Sequence, residues 1–174
     1  MIRVPTPLLK WLLRRQLDAA RRSGLLDLLV RGAMLHDLKP AYVLAIASRE
    51  TGIRNLLGDG GHGVGVMQID IRHHYAARSA KARGDWRSLP WPLVGYGCRL
   101  LSENVGWARE TWPSYTALQH LKLAAAAYNA GREGCKRGAA TGDCDRYTTG
   151  RDYGRDVLRR MGLFAALLAE VPEG

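Results

Sequence analysis

The segment between residues 53 and 70 constrains the fold most strongly, because its glycines prevent a helix from running through it. These glycines are at positions 58, 60, 61, 63 and 65. Val64, Val66 and Ile69 in the same segment favour short strands or a hairpin. Elsewhere the apolar residues recur with helical spacing. The sequence therefore predicts an α+β fold that is mainly α, with one small β-hairpin or sheet.

The helices are predicted from apolar periodicity and from residues that begin or end helices. They cover about 7–22, 25–35, 41–51, 93–110, 115–130 and 150–171. Pro40 suits the first turn of one helix, and Gly52 and Gly131 suit the left-handed position that ends two others. Residues 132–148 are predicted to form a loop. The alanines at 124–127 allow close packing and predict a central, buried helix.

The length of the chain, 174 residues, suffices for one domain with an additional helical arm. We expect residues 1–22 to form a basic amphipathic N-terminal arm and residues 23–174 to form the main domain. The formal net charge of +10 attracts polyanions such as nucleic acid, an anionic membrane or the bacterial envelope. No zinc-finger, basic-zipper or single-strand-binding motif is present, so we expect no nucleic-acid partner.

The cysteines and histidines give no clear sign of a metal or cofactor. Cys135 and Cys144 flank a short glycine-rich loop, and they either close it with a disulfide or remain free thiols. Cys98 shares a helical stripe with Val94 and Leu101, which predicts a small core residue. The histidines lack zinc-site spacing, and the glycine-rich segment lacks the Lys-Ser or Lys-Thr of a phosphate loop. We therefore expect no metal and no cofactor.

Glu50 is the strongest candidate for a catalytic residue. On its predicted helix it shares a face with the apolar residues Ile46 and Ala47. Apolar surroundings and the negative end of a helix both raise the pKa of a carboxyl group, as a general acid needs near neutral pH. The alternative is an edge glutamate that faces solvent or pairs with Arg49 or Arg54.

Asp59 and Asp70, the next acidic residues, lie in or beside the glycine-rich segment. Loop carboxylates beside a cleft can position a water molecule, and glycines let the backbone approach a ligand closely. Structural roles are the alternative, because Asp-Gly pairs are common in turns and Asp70 suits a helix cap. The residue types alone leave both roles open.

Five segments form a recognisable series of motifs. Ala-Ile-Ala-Ser-Arg-Glu-Thr-Gly occupies 45–52, and Gly-Asp-Gly-Gly-His-Gly-Val-Gly-Val-Met-Gln-Ile-Asp occupies 58–70. Trp-Pro-Ser-Tyr-Thr follows at 112–116, Ala-Tyr-Asn-Ala-Gly at 127–131 and Thr-Thr-Gly-Arg-Asp-Tyr at 148–153. In this order, over about residues 25–165, they resemble the motifs of goose-type lysozymes and of their relatives, the soluble lytic transglycosylases.

This resemblance implies a lysozyme-like fold, with the small sheet beside the active-site cleft. It also implies cleavage of the β-1,4 bond between N-acetylmuramic acid and N-acetylglucosamine in peptidoglycan. Glu50 falls on the family's general acid, and Asp59 and Asp70 fall on the carboxylates that hold the attacking water in an inverting hydrolysis. The positions that fall on the substrate-binding cleft are Gln68, Tyr128, Asn129 and Tyr153. The segment between Glu50 and Asp59 is a few residues shorter than in vertebrate members.

Three other functions stay open at this point. A lytic transglycosylase lets the C6 hydroxyl of the substrate attack, forms 1,6-anhydromuramic ends and needs no aspartate. A catalytically inactive module would only bind glycan or a protein, and the presence of all three carboxylates argues against it. A membrane-active protein would work through residues 7–22, but the globular length argues against this as the sole function.

The N-terminal sequence bears on where the protein acts. Charged residues interrupt its apolar stretches, so we expect no standard export signal, and no apolar run reaches transmembrane length. We expect synthesis in the cytoplasm and bacteriolytic action on the cell wall, as for a phage endolysin. The expected partners are peptidoglycan strands and, through the basic N-terminal helix, an anionic envelope or membrane.

Overall fold

The computed structural model describes residues 5–170. Its α-helices are α1 Thr6–Arg22, α2 Leu25–Leu35, α3 Pro40–Thr51, α4 Tyr75–Arg83, α5 Trp91–Thr111, α6 Ala117–Ala140 and α7 Tyr153–Ala169. Residues 1–4 of the predicted arm and residue 171 of the predicted last helix lie outside the described residues. The predicted α+β fold, mainly α with a small sheet, is confirmed.

The glycine-rich segment forms a three-stranded antiparallel sheet in the order β1-β2-β3. The strands are β1 Leu57–Gly58, β2 Gly63–Val64 and β3 Ile69–Asp70. Gly63 pairs with Gly58 on one side and with Asp70 on the other. This register places Asp59, which follows Gly58, at the same end of the small sheet as Asp70.

Helices α4 and α6 differ from the sequence prediction. Helix α6 continues past Gly131 to Ala140, so the predicted loop is wrong over residues 132–140. Gly131 does interrupt the helical geometry, with φ 72° and ψ 160°, but the helix resumes because buried positions beyond it pack against the following segment. Helix α4 was not predicted because only Ala77 and Ala80 are buried, which leaves little apolar periodicity.

Helix α3 forms the centre of the hydrophobic core. Residues 41–48 are all buried, and the helix packs against α2 and α7. Pro40 stands at its first turn, and Gly52 ends it in the left-handed conformation with φ 65°. This placement brings the last turn of α3, which carries Glu50, to the edge of the core.

Helix α1 packs one face against α2 and α7. Its buried residues are Leu9, Leu13, Leu17 and Ala20. The exposed side carries basic residues, and Lys10 forms an ion pair of 2.7 Å with Glu170 just beyond α7. Within residues 5–170, no helix combines the length and apolar character needed to cross a bilayer.

Candidate active site

Glu50 lies in the last turn of α3 and contacts the first residue of α7. The hydroxyl of Tyr153 donates a hydrogen bond to Oε1 of Glu50. Tyr153 itself is buried, with 2% of its surface exposed, so it cannot rotate freely away from the carboxyl group. The structure therefore brings together two residues that are far apart in the sequence, and both were predicted site residues.

Burial raises the pKa of Glu50 from 4.5 to about 7. The hydrogen bond from Tyr153 and the positive charge of Arg49 act in the opposite direction and moderate this rise. Arg49 forms its own ion pairs with Asp152 at 3.0 Å and Asp156 at 3.4 Å. Pairing of Glu50 with Arg49, one of the alternatives from the sequence, is therefore not observed among the described residues. Glu50 can hold a proton near neutral pH, as a general acid must.

Asp59 and Asp70 are joined by Arg72. One guanidinium nitrogen, Nη2, lies 2.8 Å from Oδ2 of Asp59 and 2.6 Å from Oδ2 of Asp70. Hydrogen bonds from Arg72 are the main reason why the pKa of Asp70 is lowered from 3.8 to about 2. The sequence did not single out Arg72 as a site residue. The only available signal was its position two residues after Asp70.

The cleft consists of two adjoining cavities. The smaller, of about 410 Å³, is lined by Glu50, Asp59 and Asp70, so the three predicted catalytic residues face the same space. The larger, of about 810 Å³, extends along α5 and α6 past Glu103 and Arg132. The residues that line both cavities are Gln68, Asp70, Arg72, Tyr128 and Asn129. The two cavities together form a groove, with the carboxyl groups of Glu50, Asp59 and Asp70 at one end.

Three of the predicted substrate-binding residues, Gln68, Tyr128 and Asn129, line the cleft and also hold its walls together. Tyr153 is buried behind Glu50 and lines neither cavity. The Tyr128 hydroxyl donates to the Met67 carbonyl at 2.8 Å, which ties α6 to the turn between β2 and β3. Oδ1 of Asn129 accepts from the Thr149 peptide NH at 2.8 Å, which ties α6 to the segment before α7. Tyr128 and Asn129 therefore each have an intramolecular hydrogen-bond partner and also line the cleft.

Gln68 braces the sheet. Its amide nitrogen donates to the carbonyls of Leu56 at 3.1 Å and Gly65 at 2.8 Å. Its Oε1 fills the space in which a Cβ would lie at Gly58 or Gly63. Glycine at these two positions thus leaves room for the Gln68 side chain.

A cluster outside the cleft brings Asp143, Cys144 and Asp145 together, which are possible metal ligands. Asp145 is completely buried and accepts the peptide NH groups of Gly154 at 2.6 Å and Arg155 at 3.1 Å. It therefore caps the first turn of α7. Lys122 lies 3.5 Å from Asp143 and 3.9 Å from Asp145, so a cation already balances these carboxylates.

The cysteines are free thiols in this structure. Cys98, Cys135 and Cys144 are all buried, and Cys98 belongs to the core as the sequence predicts. Cys135 packs beside Cys144 in a smaller apolar cluster. Of the two states left open by the sequence, the structure contains the dithiol.

Comparison with known proteins identifies the family. The model of the family "Lysozyme g" matches residues 18–166, which include all the motifs and the whole cleft. The chain belongs to the lysozyme g family. The resemblance seen in the sequence is therefore confirmed, and so is the assignment to the lysozyme-type glycoside hydrolases.

Individual relatives support the same family. A lysozyme g of Takifugu rubripes is 32% identical over 149 residues, which is 83% of this chain and 76% of the fish protein. A lysozyme g of Gallus gallus is 34% identical, over 73% of this chain and 57% of the bird protein. A glycine, glutamate and proline-rich protein of Lottia gigantea is 33% identical over 82% of this chain, but the match spans only 34% of that protein. The chain thus covers only part of these longer relatives.

Proposed function

We propose that this lysozyme g family member is a muramidase that hydrolyses the β-1,4 bond between N-acetylmuramic acid and N-acetylglucosamine, with Glu50 as the general acid. The observation that carries the proposal is the burial of the Glu50 carboxyl group at the end of a groove, which raises its pKa to about 7. A carboxyl group that is still protonated at neutral pH can donate its proton to the glycosidic oxygen as the bond breaks. The groove continues from this residue past Glu103 and Arg132, so an extended glycan strand can lie along it.

The second half of the reaction needs a water molecule on the opposite face of the sugar ring. Asp59, in the turn between β1 and β2, and Asp70, on β3, line the same cavity as Glu50, which lies on α3. Carboxylates at that place suit an inverting mechanism, in which the acid and the base stand about 6.5–9.5 Å apart to admit water. We propose that they orient this water.

The experiment is digestion of purified peptidoglycan followed by mass analysis of the products. Hydrolysis leaves reducing muramic acid ends, whereas a lytic transglycosylase leaves 1,6-anhydro ends that are lighter by one water. We expect reducing ends. Predominantly anhydro ends would contradict hydrolysis and favour the transglycosylase.

Glu50→Gln tests the role of the acid. It keeps the size of the side chain and can still accept from Tyr153, but it cannot donate a proton, so the rate should fall by roughly 10²–10⁴-fold. The matched control is Glu133→Gln, because Glu133 is an exposed glutamate outside the cleft. Near-native turnover of Glu50→Gln would contradict the proposal that Glu50 is the general acid. An inactive, purely binding module would instead show no turnover in the unmodified protein.

We further propose that the basic face of α1 attracts the protein to the anionic bacterial envelope. Arg15 and Arg22 are exposed on this helix, and the Arg15 guanidinium lies 5.0 Å from the exposed Trp11 ring. Attraction of this kind is screened as the Debye length falls from about 10 Å at 0.1 M salt to about 3 Å at 1 M.

Salt dependence and charge removal test this attraction. Binding to intact walls should weaken with salt, and Arg15→Gln with Arg22→Gln should weaken it further at low salt. The control, Arg83→Gln with Arg109→Gln, removes the same charge from exposed positions on other helices. Equal effects of the two pairs would show that net charge matters and that α1 has no special part.

A further inference from the structure

Arg72 makes an unusually complete set of contacts with one of the two aspartates. Oδ1 of Asp70 accepts from the Arg72 peptide NH at 2.7 Å and from Nε at 3.0 Å. Oδ2 of Asp70 accepts from Nη2 at 2.6 Å and from Nε at 3.0 Å. Both carboxylate oxygens of Asp70 are therefore occupied by a single arginine.

Asp59 is bound quite differently. Its Oδ2 accepts from Nη2 of Arg72, while its side chain is 66% exposed. Within the described part of the chain, no donor reaches Oδ1 of Asp59. Arg72 thus holds one oxygen, while the other has no donor among the described residues and can accept a hydrogen bond from water.

The backbone that carries Asp59 needs support from outside. Asp59, Gly60 and Gly61 all have positive φ, at 48°, 61° and 93°, in a short turn between β1 and β2. Two side chains hold this turn: Arg72 through the Asp59 carboxylate, and Lys81 through the Gly61 carbonyl at 2.6 Å. Arg72 is the one that also fixes the direction of the carboxylate.

We propose that Arg72 is a positioning residue, which holds Asp59 in the orientation that accepts a proton from the attacking water, and that Asp70 acts through Arg72 instead of binding this water itself. The inference rests on the proposed hydrolysis and divides the work between the two aspartates. The pKa of Asp70, lowered to about 2, agrees with it, since so acidic a group is a weak base.

Kinetics of Arg72 variants provide the first test. A small misplacement of a catalytic group can cost about 10²-fold in rate, so Arg72→Ala should lower kcat by roughly 10- to 100-fold. KM should change far less, because the glycan is bound along the rest of the groove. Arg72→Lys keeps the charge but cannot reach both aspartates. Its kcat should lie between those of the unmodified protein and of Arg72→Ala. Arg83→Ala is the matched control, since it breaks an exposed ion pair with Asp85 away from the cleft.

Chemical rescue separates positioning from a loss of structure. Guanidinium ion at millimolar concentration and constant ionic strength should restore part of the kcat of Arg72→Ala, because it can occupy the same place between the carboxylates. It should not restore Asp59→Asn, in which the acceptor itself is lost. An unfolded Arg72→Ala would not be rescued, and Arg72→Lys would then carry the test.

A double-variant comparison tests the part assigned to Asp70. If Asp70 acts only through Arg72, Asp70→Asn combined with Arg72→Ala should be no slower than Arg72→Ala alone. If the rate losses of the two single variants instead multiply in the double variant, Asp70 contacts the water directly and this assignment is overturned. Wild-type kcat in Arg72→Ala, with reducing ends from the unmodified protein, would refute the role of Arg72 while hydrolysis stands. Anhydro ends from the unmodified protein would instead refute the proposed hydrolysis.

Discussion

Replacement of Glu50 by glutamine should make the fold progressively more stable, relative to the unmodified protein, as pH rises from about 4.5 to about 7. Burial raises the pKa of Glu50 from 4.5 to about 7, so the folded protein binds this proton more tightly than the unfolded chain does. Below pH 4.5 both states are protonated, and the carboxyl group has no effect on the pH dependence. Between pH 4.5 and 7 the unfolded chain ionises while the folded protein keeps the proton, so stability falls as pH rises.

The size of the effect follows from the same shift. One pKa unit corresponds to about 1.4 kcal/mol, so Glu50 should lower the free energy of unfolding by about 3 kcal/mol between pH 4 and pH 8. Glu50→Gln cannot ionise and escapes this loss. Any constant cost of burying the amide cancels when its stability relative to the unmodified protein is compared at the two pH values.

Urea denaturation at pH 4, 6 and 8, followed by tryptophan fluorescence, measures this difference. The stability of Glu50→Gln relative to the unmodified protein should increase by about 3 kcal/mol from pH 4 to pH 8. Glu133→Gln, at a side chain that is 83% exposed, should show no such change. A difference between Glu50→Gln and the unmodified protein that is independent of pH would refute the raised pKa, and with it the main support for a general acid.

Three further changes test other parts of the site. Tyr153→Phe removes a hydrogen bond that lowers the pKa of Glu50, so the alkaline limb of kcat/KM should move to higher pH. Asp145→Asn weakens the buried cap of α7 and should cost about 1–3 kcal/mol in urea denaturation, because charged acceptors of peptide NH groups are lost. Gly63→Ala would place a Cβ 2.3 Å from Oε1 of Gln68 and expel that side chain from its two hydrogen bonds, at a cost of about 1–3 kcal/mol.

Each of these changes has a matched control. Tyr115→Phe alters an exposed tyrosine and should leave the pH profile unchanged. Asp143→Asn, beside Asp145 but more exposed, should cost less than Asp145→Asn. Gly95→Ala adds a Cβ with no atom within 4 Å in the middle of α5, and it should be neutral or slightly stabilising. An unshifted alkaline limb in Tyr153→Phe, or equal costs within either of the other pairs, would contradict the corresponding explanation.

The sequence by itself predicted every α-helix of the described residues except α4, and it singled out Glu50 as the candidate acid. Apolar residues at helical spacing, with Pro40 and Gly52 at its ends, predicted α3, since these signals are local and need no tertiary contact. The glycines of 58–65 predicted a small β element for the same reason. Glu50 could be singled out because an acidic residue on an apolar helix face is visible in the pattern.

Tertiary structure decided the extent of α6, the partners of the acid and the arrangement of the aspartates. Helix α6 resumes beyond Gly131 because its second half is packed against a later segment, which local propensity does not register. The hydrogen bond from Tyr153 to Glu50 joins α7 to α3, and nothing in the spacing of the two residues reveals it. Arg72 lies between Asp59 and Asp70 because the strand register brings two carboxylates within reach of one guanidinium. Whether one arginine can contact two carboxylates depends on distances in space, which the sequence order alone does not give.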